Sequence, residues 1–171
     1  HDGGNAIGIY VGKEHAGELV LRNCNVQNFP NNGLYASAPG RREPNFVGKD
    51  GPVHVEGGLY RNNNIANIRI ASTDSTVKNA RVVMDEVPPS PEGSLNVRGI
   101  RLRGKQGQVV ENCKIRVGEN SGVGFGALVF HPDTGRATVR DTEIVVNRDG
   151  IHAINALPVQ RSGAPTGTAF E

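Results

Sequence analysis

Gln108-Val-Val-Glu-Asn-Cys-Lys-Ile115 recurs in pattern four more times along the chain. The other copies are Leu19-Val-Leu-Arg-Asn-Cys-Asn-Val26, Val53-His-Val-Glu-Gly-Gly-Leu-Tyr60, Ser75-Thr-Val-Lys-Asn-Ala-Arg-Val82 and Ala137-Thr-Val-Arg-Asp-Thr-Glu-Ile144. All five align without gaps. Their third residues are Leu21, Val55, Val77, Val110 and Val139, and their eighth are Val26, Tyr60, Val82, Ile115 and Ile144. The sixth is small in every copy: Cys24, Gly58, Ala80, Cys113 and Thr142. Strand alternation puts the third residue inside. A change of phase at the sixth returns the eighth to the interior, so the small side chain marks a corner too tight for a large one.

A second strand type accompanies these copies: Ile7-Gly-Ile-Tyr10, Leu34-Tyr-Ala-Ser37, Ile68-Arg-Ile-Ala71, Ile100-Arg-Leu-Arg103, Leu128-Val-Phe-His131 and Ile151-His-Ala-Ile154. Short strands repeated at a steady period describe a solenoid, because no single repeat can bury its own apolar face. The expected architecture is all-β: a single-stranded right-handed parallel β-helix of about six coils over residues 1–157. At about 4.8 Å between stacked strands it would be roughly 30 Å long.

The fourth residues test this alignment independently. They read Arg22, Glu56, Lys78, Glu111 and Arg140, alternating in sign along the stack. Neighbours in a ladder gain from opposite charges and lose from like ones. The column therefore reads as a solvated face that fixes register. Cys24 and Cys113 fall on equivalent corners three coils apart, about 14 Å by the strand spacing. A disulfide needs Cα atoms within about 7 Å, so these two are expected to stay unbonded.

Composition agrees with many short strands and turns: 36% of residues are hydrophobic, 5% are aromatic, and 23 of 171 are Gly. A net charge of +2 gives no bulk electrostatic case for nucleic acid. No stretch approaches the roughly 20 apolar residues of a membrane span. The start at His1-Asp2-Gly3 suggests a processed product or a piece of something longer. Three loops interrupt the repeat: Ala38 to Pro52, Asp85 to Val97 with its Val-Pro-Pro-Ser-Pro run, and Gly-rich Gly118 to Gly126. Asn31-Asn32-Gly33 and Asn62-Asn63-Asn64 suit left-handed or side-chain-capped corners. Residues 158–171 read as a linker-like or disordered tail.

The coil pattern, with wording such as Asn32-Gly-Leu-Tyr-Ala-Ser37, Gly99-Ile-Arg-Leu-Arg-Gly104 and Gly150-Ile-His-Ala-Ile-Asn-Ala156, resembles the right-handed parallel β-helix superfamily. That superfamily includes pectate lyases, polygalacturonases, alginate lyases and epimerases, and viral tailspikes. The wording is most similar to uncharacterised haloarchaeal or viral β-helix repeat proteins. The resemblance implies an extracellular, cell-surface or virion setting. It does not carry over an enzyme signature. The polygalacturonase motifs Asn-Thr-Asp, Asp-Asp, Gly-His-Gly and Arg-Ile-Lys are missing from the sequence, as is the epimerase-type Asp-Pro-His-Glu. A calcium site of the pectate-lyase kind needs an acidic cluster on one sheet, and the sequence offers none; no cofactor and no metal site is expected.

Chemistry is instead expected on the outward positions of the second strand type, where Tyr10, Tyr35, Arg69, Arg101, Arg103, His131 and His152 form a stripe without an acid. Arg grips carboxylates in a two-pronged way and Tyr packs against sugar rings, so the stripe suits an anionic polysaccharide or a cell-surface glycan. The expected role is a carbohydrate- or surface-engaging module that is not a catalyst. One rival is a polysaccharide lyase or hydrolase acting on uronates. There Arg103 or Arg101 would neutralise the carboxylate and His131 or His152 would take the adjacent proton. Another is a structural or receptor-binding part of a virion or surface filament, resembling a tailspike. The plainest reading pairs these arginines with the loop acids Asp133, Asp149, Asp85 and Glu86, while Arg41-Arg42-Glu43 reads as a solvated charge run. Open solenoid ends expose unpaired strand edges, so a flanking chain or a homo-oligomer partner is expected to cover them.

Overall fold

A computed structural model describes residues 5–90, 95–104 and 106–157. Among these the chain is all-β, with no helix, and its strands run parallel in three sheets. The first sheet contains β1 (Ile9–Tyr10), β4 (Leu34–Ala36), β9 (Ile68–Ile70), β12 (Val97–Leu102), β15 (Gly124–Phe130) and β18 (His152–Ala156), in that order. The second runs β2 (Leu19–Arg22), β7 (Val53–Glu56), β10 (Thr76–Lys78), β13 (Gln108–Glu111) and β16 (Ala137–Arg140). The third runs β3 (Asn25–Gln27), β8 (Leu59–Arg61), β11 (Arg81–Met84), β14 (Lys114–Val117) and β17 (Glu143–Val146). A hairpin of β5 (Arg42–Glu43) and β6 (Phe46–Val47) stands apart. The arrangement is compatible with the expected β-helix.

The register follows the repeat. Leu21, Val55, Val77, Val110 and Val139 are Cα partners in sequence, as are Val26, Tyr60, Val82, Ile115 and Ile144. Ile9, Leu34, Ile68, Ile100, Leu128 and Ile154 form the matching column of the first sheet. Apart from Ile154, which is exposed at the last strand, these columns converge on one core, in which each fully buried Val, Leu or Ile contributes about 1.5–3 kcal/mol. The fourth-residue ladder closes into ion pairs: Arg22 with Glu56 at 2.7 Å, Lys78 with Glu111 at 2.9 Å, and Arg140 with Glu111 at 2.9 Å. Cys24 and Cys113 are both free thiols.

Four details differ from the sequence expectation. The bend lies at the fifth residue of each repeat: Asn23, Gly57, Asn79, Asn112 and Asp141 all have φ between 50° and 71°. Asn, Asp and Gly are the residues that tolerate this left-handed region, and the small sixth residue simply follows the turn inward. The last strand is displaced. Ile154, not Ile151, pairs with Leu128, and His152 pairs with Gly126. Gly124 to Gly126 belong to β15 and not to a loop. The 38–52 insertion carries the β5–β6 hairpin, and the base of the insertion sits closely on the turn that follows β9: a Cβ on Gly40 would lie 2.3 Å from the Ala71 carbonyl carbon. The expected tail at 158–171 lies outside the described residues.

Candidate functional site

Outward side chains of the first sheet build a continuous column. Tyr10, Tyr35, Arg69, Arg101, Val129 and Asn155 occupy successive facing positions from β1 to β18. Alternation dictates this, since each is flanked on its strand by residues that point inward. The Tyr10 and Tyr35 rings pack with centroids 5.6 Å apart. The Arg69 guanidinium lies over the Tyr35 ring at 4.4 Å. Such a cation–aromatic contact strengthens as water is excluded.

These arginines sit deeper than a surface ladder would place them. Arg69 is 8% exposed and Arg98, on the same strand as Arg101, is 4% exposed. The Nε of Arg69, Arg98 and Arg101 is buried and makes no hydrogen bond within the protein. Burial pushes all three guanidiniums down to about 10, with help from neighbouring charge: Arg101, Arg103 and Arg41 around Arg69, Arg69 near Arg98, and Arg98 and Arg103 around Arg101. All three therefore stay cationic at neutral pH. Burial would raise the Tyr35 phenol, but the charges of Arg69 and Arg41, with the nearby Ser37 hydroxyl, outweigh it and lower it overall. Among the described residues, no carboxylate pairs with Arg69, Arg98 or Arg101 within 4.0 Å. Desolvated positive charge with unused donors is an arrangement that an anion would complete.

Arg103 behaves differently. Its Nη2 and Nε donate to Asp133 Oδ2 at 2.7 and 3.1 Å, and Nη2 lies 3.5 Å from Glu43 of the hairpin. His131 Nδ1 contacts Asp133 Oδ1 at 2.5 Å, and the Gly104 amide donates to the same oxygen at 3.2 Å. Burial favours protonation of Asp133, yet His131 and Arg103 hold its carboxyl well below the usual carboxylate range. The pairing expected between stripe arginines and loop acids thus occurs at Arg103, and Arg61 likewise meets Asp85 and Glu86. It does not occur at Arg69 or Arg101.

His152 is not brought to this group. Its strand register puts it beside Gly126, in a column with Arg98 and away from Arg103 and His131. Three participants escaped the sequence reading. Arg98 lies beyond the four-residue strand pattern and directly follows the register shift at Val97/Arg98. Arg42 and Glu43 are exposed, as a solvated charge run would be, but Arg41 is half-buried and Glu43 reaches Arg103 at 3.5 Å. Arg41 stacks on Phe46 at 4.2 Å and ion-pairs with Glu43. No short signal in sequence marks a loop that folds back on the face preceding it.

A depression of about 450 Å³ crosses the third sheet, lined by Arg81, Lys114, Arg116, Glu143 and Val145. Arg81, Lys114 and Arg116 are exposed there, and no unbonded guanidinium nitrogen is buried, so it lacks the features that distinguish the first face. Among the described residues there is no group of three or more His, Cys, Asp or Glu able to hold a metal ion. None contains a helix long and apolar enough to cross a membrane.

No family model, curated protein or solved structure matches this chain.

Proposed function

We propose that the chain is a right-handed parallel β-helix of about six coils that engages an anionic polysaccharide or cell-surface glycan along its first sheet, without catalysing its cleavage. One observation carries this reading: a tyrosine stack runs directly into buried arginines whose Nε donors are unused. Aromatic faces suit sugar rings and guanidinium cations without a carboxylate partner suit acidic groups, so the column matches a chain that offers both. The successive strands repeat at about 4.8 Å, which favours a polymer lying along the rod over a compact anion. An extracellular, cell-surface or virion setting follows from this ligand class.

Calorimetric titration of the full chain with a defined oligouronate, beside a neutral oligosaccharide of equal length, tests the proposal. Preferential binding of the acidic chain, lost in the folded double variant Arg69→Gln/Arg101→Gln, is the expected result. Equal or absent binding of both would reject it.

The His131–Asp133 contact favours a second reading, a lyase acting on uronates. A carboxylate on Nδ1 leaves Nε2 as the proton acceptor, and Arg101 is diagonal to His131 on the neighbouring strand. Arg103, however, is engaged by Asp133 and Glu43, which leaves Arg101 for the substrate acid. Ultraviolet absorbance of an unsaturated uronate product, abolished in His131→Asn, would establish this reading over the binding one. Exposed apolar groups at one end, Ile154 and Val145, support coverage by a flanking chain or a homo-oligomer partner, as in a filament or tailspike-like assembly.

A further inference from the structure

We infer that Glu43 is an internal carboxylate occupying the acid-binding position between Arg41 and Arg103, which an incoming glycan carboxylate must take over. The inference rests on the anionic-glycan reading above and adds the residue that sets its affinity. Glu43 Oε1 accepts from Arg41 Nε at 3.0 Å, its Oε2 pairs with Arg41 Nη2, and Oε1 lies 3.5 Å from Arg103 Nη2. The two acids around Arg103 are unequal. Asp133 is held by the Arg103 fork, His131 and the Gly104 amide, whereas Glu43 touches Arg103 only at the outer limit of an ion pair. Asp133 is the anchor of that cation and Glu43 is its loose occupant.

The insertion holds Glu43 close to Arg103 at its exposed tip. Its base is pinned: the Lys49 amide donates to the Lys13 carbonyl at 2.9 Å, and the Gly51 amide to the His15 carbonyl at 3.1 Å. Asp50 accepts from the Thr73 amide and hydroxyl at 3.1 and 3.0 Å. Towards its tip, the exposed Glu43 lies on a strand of only two residues paired with Phe46. A tethered carboxylate at high local concentration competes with any ligand acid for the same cations. It also neutralises a cationic face that would otherwise attract anions indiscriminately, which raises the demand on a ligand to supply several acids at once.

Elution of the full chain from immobilised polygalacturonate along a salt gradient tests this. Glu43→Gln should elute at higher salt than the wild type, with binding tightened about two- to fivefold, the scale of one exposed ion pair. Glu119→Gln, which removes the same charge from another face, should shift elution much less. Glu43→Ala should behave like Glu43→Gln, and thermal melting checks that each variant is folded. If the wild type is retained and Glu43→Gln elutes no later than Glu119→Gln, the role given to Glu43 is wrong and the binding proposal stands. If no variant is retained, both are wrong.

Discussion

Arg69 and Arg101 are Cα partners across the β9–β12 pair, so two like charges stand side by side on the ladder, and among the described residues no carboxylate pairs with either. Like charges directly opposite on a ladder are destabilising. The second sheet of the same protein avoids this, alternating Arg22, Glu56, Lys78, Glu111 and Arg140. One chain therefore contains both arrangements, and the unfavourable one lies beside the aromatic stack.

Removing one of the two charges should stabilise the free protein. Arg101→Leu keeps the aliphatic bulk on the strand and relieves both repulsion and desolvation. We expect it to raise stability by about 0.5–1 kcal/mol in denaturant titration at low salt, with the gain shrinking as salt is added. The same variant should bind oligouronate at least tenfold more weakly. Loss of stability together with unchanged binding would mean that Arg101 is a structural residue.

The left-handed column predicts a different ranking. Asn112 has φ 50° and donates through Nδ2 to Asn79 Oδ1 at 2.7 Å, so its side chain both permits the turn and ties adjacent repeats. Asn112→Ala should cost about 1–2 kcal/mol through the left-handed backbone alone. Asn112→Gly should cost less, since only the amide ladder is lost. Denaturant midpoints compare the two. An alanine variant as stable as the glycine one would remove the backbone argument.

How much of this was legible in the sequence depends on whether a feature repeats. The columns at Val77, Val110 and Val139 and the charge ladder could be read because each repeat checks the others. The left-handed turn was equally visible at Asn23, Gly57, Asn79, Asn112 and Asp141, but the small sixth residue drew the corner one position too far. Features that occur once were harder. The displaced register of His152 follows from the last strand, which has no later copy to align with it. The seating of Arg41 and Glu43 depends on Gly40 packing against Ala71, a long-range contact that leaves no local pattern.

Acid should act on the Asp133 cluster with a definite sign. Its carboxyl is held below the ordinary value of 3.8 in the folded chain, so it binds a proton less readily folded than unfolded. The stability it contributes is complete above that ordinary value and is lost as pH falls below it towards the folded value. Asp133→Asn should therefore lower the melting temperature at neutral pH, by the equivalent of about 1 kcal/mol for a pair that retains some exposure. The gap from the wild type should close on acidification below the ordinary carboxylate range. Glu43, Asp85 and Glu111 are also lowered, by Arg41, Arg61 and Arg140 respectively, so part of the acid slope should persist in the variant. A gap that widens on acidification would contradict the assigned direction.

The two cysteines provide a readout of the rod's ends. Cys113 is buried between repeats, its Sγ donates to the Val77 and Glu111 carbonyls at 3.4 and 3.3 Å, and burial raises its thiol. Thiolate is the reacting form, so Cys113 should resist alkylation in the native protein. Cys24 occupies the equivalent corner in the first row, where no described strand stacks beyond β2 and β3, and it is only half-buried. Timed alkylation followed by mass spectrometry should show Cys24 labelling at least tenfold faster than Cys113, with both reacting in denaturant. Non-reducing electrophoresis should show no bond between them. If a flanking chain or second copy covers this end in an assembly, Cys24 becomes another interior corner and its labelling should slow towards that of Cys113. Fast labelling of Cys24 in an isolated assembly would show that the partner contacts some other surface.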